Sequence, residues 1–209
     1  MKRSLLVLGC GGHGRVVADA AFECGYDEVA FLDDVGSAHQ PRGLKVLGPF
    51  AATADFAPDW PAAIAAVGNG DLRLRLFHDI RQLGFETPSI VHPSAVVSRG
   101  ALIGNGVFVA AGAIINTDAR IGDAVIVNTG ARIDHDCEIG VGSHIAPGAT
   151  LSGSVVVGQR TWLGTGCSVR QGTRIGEKVM VGVGAAVVSD LADGLTYVGV
   201  PARVLKNAR

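Results

Sequence analysis

The 209-residue chain carries 18 Lys and Arg against 19 Asp and Glu, a formal net charge of −1, with its basic residues thinly spread. That balance excludes a nucleic-acid footprint, which needs a clustered basic face, and no apolar run reaches the ~18 residues that a membrane span requires. The four cysteines (Cys10, Cys24, Cys137 and Cys167) show no paired spacing, so neither a disulfide framework nor a cysteine metal site is expected.

Ser4 to Leu8 reads as a buried parallel strand. It is short and runs into glycines rather than a cleavage site, so it is no signal peptide and a cytoplasmic protein is expected. Gly9, Gly11 and Gly14 follow at once in G-x-G-x-x-G spacing, ahead of helical character from Arg15 to Cys24. Such a loop lets the backbone approach a phosphate, whose charge the helix-end amides favour. A second strand, Glu28 to Leu32, ends in Asp33 and Asp34, placed where a carboxylate accepts ribose hydroxyls. Val46 and Leu47 form a short third strand, and Ala62 to Val67 a fourth, ending in Gly68-Asn69-Gly70. Asp71 is the expected N-cap of a helix from Leu72 to Leu83.

A full dinucleotide fold uses two βαβαβ halves, whereas this region is long enough for one. The domain expected over residues 1–88 is therefore a Rossmann-like half that binds one nucleotide, or a nucleotide joined to something else through its pyrophosphate. A glycine-rich turn with no ligand is the plainer alternative. His13 and the Asp33–Asp34 pair favour a ligand, because open parallel sheets bind at the carboxyl ends of their strands.

From Val91 to Val187 every sixth residue is aliphatic, seventeen positions in succession. A six-residue period fits neither a helix nor one face of a simple strand. It marks a hexapeptide parallel β-helix in which each hexad forms one side of a prism and three complete a coil. Four places after each aliphatic residue stands a small or β-branched one suited to a tight corner, and glycine recurs where the chain turns. The second domain is expected over 89–190, all-β, with 191–209 as a capping tail.

The coil pattern turns His135, two places after Ile133, outward, with Asp134 and Asp136 on either side. Asn128 precedes it by seven residues, and His144 follows nine later on the next side. A lone exposed histidine is usually incidental. Here polar and titratable groups gather midway along an otherwise bland prism. A neutral imidazole with an ordinary pKa near ~6.5 can accept a proton at physiological pH, and a carboxylate beside it stabilises the imidazolium. The pattern leaves open which aspartate does so. Stacked metal ligands would recur at multiples of eighteen residues, which His135 and His144 do not, so no metal is expected. Cys137 and Cys167 occupy corner positions and should be buried thiols, not nucleophiles. Outward apolar residues, including Phe108, Ala110, Ala111, Ile126 and Val156, would be covered by symmetric packing of several prisms.

The residues reached so far resemble a family. Gly9-Cys10-Gly11-Gly12-His13-Gly14, Phe31-Leu32-Asp33-Asp34, Ala66-Val67-Gly68-Asn69, His92-Pro93-Ser94-Ala95, Ile133-Asp134-His135-Asp136-Cys137 and Val198-Gly199-Val200-Pro201-Ala202 are similar to the nucleotide-aminosugar N-acetyltransferases of the left-handed β-helix type, which include the bacillosamine-pathway acetyltransferase and sialic-acid O-acetyltransferase-like proteins. The resemblance runs nearly end to end. It implies a homotrimer with active sites between neighbouring prisms, acetyl-CoA along the carboxyl-terminal coils, and the nucleotide of the sugar in the amino-terminal domain. It places His135 as general base, Asp136 where relatives often carry glutamate, Asn128 and His144 at supporting positions, and Gly153 where a backbone amide faces the thioester carbonyl. Gly12, His13, Gly14, Asp33, Asp34, Gly68 and Asn69 match the nucleotide-sugar pocket.

The activity implied is direct acetyl transfer from acetyl-CoA to the amine of a nucleotide-linked amino sugar, with a UDP-linked 4-amino-4,6-dideoxy sugar as the expected substrate. A GDP-linked amino sugar of the perosamine type, or O-acetylation of a sugar hydroxyl, is the neighbouring alternative. A non-catalytic nucleotide-binding trimeric scaffold is the alternative from another class. The loop from Asp34 to Gly43 is expected to select the nucleotide base.

Overall fold

The computed structural model describes residues 3–35 and 43–205, and the chain divides into two compact units, Met1–Pro93 and Ser94–Arg209. The base-selecting loop expected from Asp34 to Gly43 lies mostly outside the described residues.

The first unit is a Rossmann-like parallel sheet in the order β3-β2-β1-β4, with β1 at Ser4–Leu8, β2 at Glu28–Leu32, β3 at Val46–Gly48 and β4 at Ala62–Ala65. Every residue of β1 and β4 is buried, which explains why both read as continuous apolar runs and not as alternating ones. Helix α1 spans Gly12–Glu23 and helix α2 spans Gly70–Gln82. Helix α1 thus begins three residues before the expected Arg15, inside the glycine loop itself. The expected cap of α2 also moves. Asn69, not Asp71, is the N-cap, its Oδ1 accepting the Leu72 N–H at 2.9 Å, while Asp71 sits in the first turn, where a carboxylate favours the helix dipole. A 3₁₀ helix at Phe50–Phe56 has no counterpart among the expected elements.

The chain order reverses between β1 and β4, which makes the carboxyl end of those two strands the switch-point crevice of the sheet. The loops after β1 and β4 meet there: a Cβ on Gly9 would lie 2.8 Å from the Ala66 carbonyl oxygen.

The second unit is a left-handed parallel β-helix built of two-residue strands. Arg120 pairs with Glu138 and Glu138 with Val156, so the chain returns to the same side after eighteen residues. The other two sides repeat in the same way through Ile114, Arg132 and Thr150 and through Phe108, Ile126 and His144. Aliphatic stacks such as Ile115, Ile133, Leu151, Val169 and Val187 are buried, as are the corner residues from Val107 to Ala185. Glycine serves two separate ends here. Gly172 takes up a φ of +66° at a corner, whereas a side chain on Gly140 would meet the backbone of Gln159 in the coil above. The tail continues the stack: Thr196–Val198 pairs in parallel with Met180–Val181, and Arg203–Val204 folds back antiparallel upon it.

One expectation about the surface fails. Phe108, Ala110 and Ile126 are only 2%, 0% and 1% exposed in the single chain, so they offer no apolar face to another copy. The period shows which way a side chain points but not what else the chain lays over it.

Candidate active site

His135, Gly153 and Gln171 stand one above another along a single edge of the prism, a consequence of the eighteen-residue return. The stack is bonded through its backbone: the His135 carbonyl accepts the Ser154 N–H at 2.9 Å, and the Gly153 carbonyl accepts the Gly172 N–H at 3.0 Å. A cleft of about 530 Å³ opens along this edge, lined by Asp134, His135, Ser152, Gly153, Ser154, Gln171 and Gly172.

The ring of His135 is outside the coil, with its side chain 54% exposed. Its Nδ1 lies 2.7 Å from Oδ2 of Asp136. Asp136 turns the corner with a φ of +57°, a conformation that aspartate tolerates better than most residues and that brings its carboxylate back toward its neighbour. Asp134 acts on the backbone instead, its Oδ1 accepting the His135 N–H and the Asn116 Nδ2, each at 2.8 Å. Of the two aspartates, then, Asp136 touches the imidazole and Asp134 braces the chain beneath it. The hydrogen bond to Asp136, with the charge of Asp134 added, raises the His135 pKa above its ordinary value. With Nδ1–H directed to the Asp136 carboxylate, Nε2 is the nitrogen left to take a proton.

Gly153 is fitted to that ring. A Cβ there would lie 2.6 Å from Nε2 of His135, so only glycine lets the imidazole rest against the edge. Its amide is available as well. At two neighbouring corners the equivalent N–H is closed by the preceding side chain, Asn128 Oδ1 to Thr129 and Asp134 Oδ1 to His135, each at 2.8 Å. Ser152 makes no such bond, and among the described residues no acceptor takes the Gly153 N–H.

Asn128 and His144 form a second cluster, their Nδ2 and Nε2 atoms 3.1 Å apart, with Trp162 tilted beside the His144 ring at 6.3 Å. They belong to a different side of the prism and do not line the His135 cleft of their own chain. Cys137 and Cys167 are buried, and burial pushes the Cys167 thiol up to about 11, far from a thiolate at neutral pH. Among the described residues no group of three or more His, Cys, Asp or Glu is arranged to hold a metal ion. A larger groove of about 640 Å³ runs along another side past Leu102, Arg120, Glu138 and Val156, and no histidine lines it.

In the first unit the glycines of the loop differ in kind. A side chain on Gly14 would run into the carbonyl of Gly9, whereas Gly11, Gly12 and Gly68 have open space where a Cβ would stand. Asp33 ties the loop to β2: its Oδ2 accepts the Cys10 N–H at 2.6 Å and its Oδ1 the Val35 N–H at 2.8 Å. Asp34 accepts the Phe50 N–H at 2.9 Å and borders a recess of about 360 Å³ with Phe50, Leu72 and Arg75. His13 is held neutral, its pKa lowered to about 4 by burial and by the nearby Arg73 cation.

Two residues outside the expected set also matter, Arg73 and Asn116. Arg73 shares the buried face of α2 with Leu76, Phe77 and Ile80, so an arginine in a core register is the signal that could have found it. Asn116 stands one coil, eighteen residues, before Asp134, a spacing that would have revealed it.

Comparison with known proteins agrees with this architecture. Residues 4–80 match the PglD N-terminal domain. The acetyltransferase domain of PglB from Neisseria gonorrhoeae, solved in complex with acetyl coenzyme A, is 41% identical over 98% of this chain and 100% of its own, with a TM-score of 0.94. PerB from Caulobacter crescentus, solved with CoA and GDP-perosamine, is 38% identical over 97% of each chain, with a TM-score of 0.93. WeeI from Acinetobacter baumannii is 26% identical over 97% of this chain and 100% of its own, with a TM-score of 0.89. With two folded units matched end to end at such identity, the chain belongs to the hexapeptide-repeat N-acetyltransferases of nucleotide-linked amino sugars.

Proposed function

We propose that the protein transfers the acetyl group of acetyl-CoA to the amine of a nucleotide-linked 4-amino-4,6-dideoxy sugar, with a UDP sugar as the first substrate to test. The observation that carries this is the exposed His135–Asp136 pair set against the Gly153 amide in one cleft. Nε2 of His135 takes the proton of the attacking amine as its nitrogen bonds to the thioester carbon. The Gly153 N–H steadies the oxyanion that forms, and collapse of the adduct expels the CoA thiolate. Asp136 holds the tautomer and stabilises the imidazolium. Holding both substrates in one cleft replaces a chance encounter with a positioned one.

Asn128 and His144 enter this site from a neighbouring copy, because they lie on a different side of their own prism. A homotrimer supplies that arrangement, each interface joining the His135 edge of one subunit to the Asn128–His144 side of the next. The nucleotide sits at the switch point of the first unit, over Gly12, His13, Gly14, Asp33, Asp34, Gly68 and Asn69, in a reaction assigned to the cytoplasm. Gly14 and Asp33 serve there by fixing the loop, and Gly12 and Gly68 by leaving room.

The complex of PerB with GDP-perosamine supports a GDP-linked amino sugar as the second reading. Acetyl-CoA consumption against UDP-, GDP- and dTDP-linked amino sugars, with His135→Ala alongside, tests the reading. Transfer to one of them that falls ~10²-fold or more in the variant is expected. Equal rates with and without the histidine would overturn it.

A further inference from the structure

We infer that Arg73 is the positioning residue of the nucleotide site: it holds the carbonyls of Val67 and Gly68 inward and so turns the amides of Gly68 and Asn69 outward, toward the diphosphate of the nucleotide sugar. The inference rests on the nucleotide-sugar reading and deepens it.

Arg73 is 1% exposed, yet it is the largest fully buried side chain in the described protein. A buried guanidinium must be matched by acceptors, since desolvating a cation is costly. Its Nη1 donates to the carbonyl of Val67 at 2.8 Å and to that of Gly68 at 3.0 Å. These are consecutive peptide units, and in a planar trans peptide the C=O and the following N–H point in opposite directions. Two carbonyls converging on one buried nitrogen therefore send the next two N–H groups away from it. The side away from Arg73 is the open one: Gly68 and Asn69 are exposed, and a Cβ on Gly68 would meet nothing within 4 Å. Among the described residues no acceptor takes either N–H. Successive amides aimed into one concavity form an anion cradle. This one faces the switch-point crevice, beside the Gly9 loop, where the diphosphate is placed.

The charge of Arg73 acts in the same direction. It lies under the crevice and, with burial, keeps His13 neutral, so the pair carries a single positive charge, that of the guanidinium. A lysine would retain the charge, but its ammonium stands on a stem one bond shorter and falls short of the place where Nη1 meets both carbonyls.

The test measures Kd for UDP, GDP, dTDP, UMP and GMP by calorimetry, and steady-state constants, for Arg73→Met and Arg73→Lys in the full-length protein. The expected result for Arg73→Met is diphosphate binding weakened about tenfold or more, a smaller change for the monophosphates, and a raised KM for the nucleotide sugar. KM for acetyl-CoA and kcat should stay within about threefold, a split that a merely structural defect would not produce. Arg73→Lys should fall between Met and the unaltered protein. An unchanged diphosphate Kd in the folded Met variant, or in the Lys variant should Met not fold, overturns the inference. No binding of UDP, GDP or dTDP by the unaltered protein would instead remove the nucleotide-sugar reading, and the inference with it.

Discussion

The imidazole of His135 occupies the space that a side chain on Gly153 would need, with the missing Cβ only 2.5 Å from Cε1 of the ring. The two residues are one coil apart, so the fit follows from the eighteen-residue register. The clash is with a side chain alone, and Gly153 does not have a left-handed φ. Gly153→Ala should therefore fold normally while pushing the ring off the edge. We expect Tm within a few degrees of the unaltered protein and turnover down by ~10²-fold, the scale of losing a positioned general base. A variant with full activity would show that the ring does not work from this position.

Asp136 should set the pH at which His135, as the proposed base, acts. Its hydrogen bond raises the imidazole pKa above the ordinary value, so the neutral, proton-accepting form appears only as pH rises through that raised value. Asp136→Asn removes the carboxylate while keeping a side chain that accepts the positive φ of this corner. The acid limb of kcat/KM should move to lower pH, and the plateau should fall because the imidazolium loses its partner. An acid limb that stays in place would assign the raised pKa to Asp134 instead.

How much of this can be read from the sequence depends on what sets each feature. The prism is legible because a six-residue period turns every stack position inward, and its eighteen-residue return places Ile115, Ile133, Leu151, Val169 and Val187 on one of three interior lines. His135 is legible as an outward residue for the same reason. Its partner is not: glycine recurs at the hexad position of Asp136 and so marks a positive φ there, but which carboxylate then meets the ring is set by side-chain rotamers that the period does not encode. The cap of α2 lies two residues from its expected place: Asn69 and Asp71 are both good cap types, and the bond to the Leu72 N–H decides between them. Phe108 and Ile126 read as faces for another copy because periodicity gives direction without cover. Arg73 does not stand out because an arginine in a helix is ordinarily a solvated one.

A site divided between copies predicts complementation. His135→Ala and His144→Ala should each be nearly inactive alone, since each damages every site of the proposed homotrimer. Mixed by refolding or co-expression, they should regain activity, because a mixed trimer has one interface that joins two intact halves. Random assembly places intact sites at about a quarter of the total. Recovery well below that, in trimers shown to be mixed, would mean that both residues serve the same half of the site.

The glycine loop separates folding from binding. Gly14→Ala drives a methyl into the Gly9 carbonyl where α1 leaves the sheet, and should destabilise the first unit by a few kcal/mol through overpacking. Gly12→Ala adds its methyl to open space at the start of α1, where alanine is the better helix former. It should fold at least as well and yet raise the KM for the nucleotide sugar, because the methyl occupies the crevice. Urea unfolding beside steady-state kinetics separates the two. A Gly12→Ala enzyme with an unchanged KM would place the phosphates elsewhere.

His13 gives the first unit a pH dependence of its own. Folding lowers its pKa from 6.5 to about 4, so between those values the unfolded chain binds more protons than the folded one. Stability contributed through His13 is therefore fully present above pH 6.5 and is lost as pH falls toward 4. The causes are burial first and the Arg73 cation second, and both penalise an imidazolium. His13→Gln keeps a polar side chain without the titration. The difference in unfolding free energy between the two proteins should hold constant above about pH 7 and shift in favour of the variant by about pH 5. A nucleoside diphosphate adds a second arm: its negative charge beside His13 opposes Arg73 and raises the imidazole pKa, so binding near about pH 5 should take up a proton. Calorimetry in buffers of different ionisation enthalpy measures that uptake, and its absence would place the diphosphate away from His13.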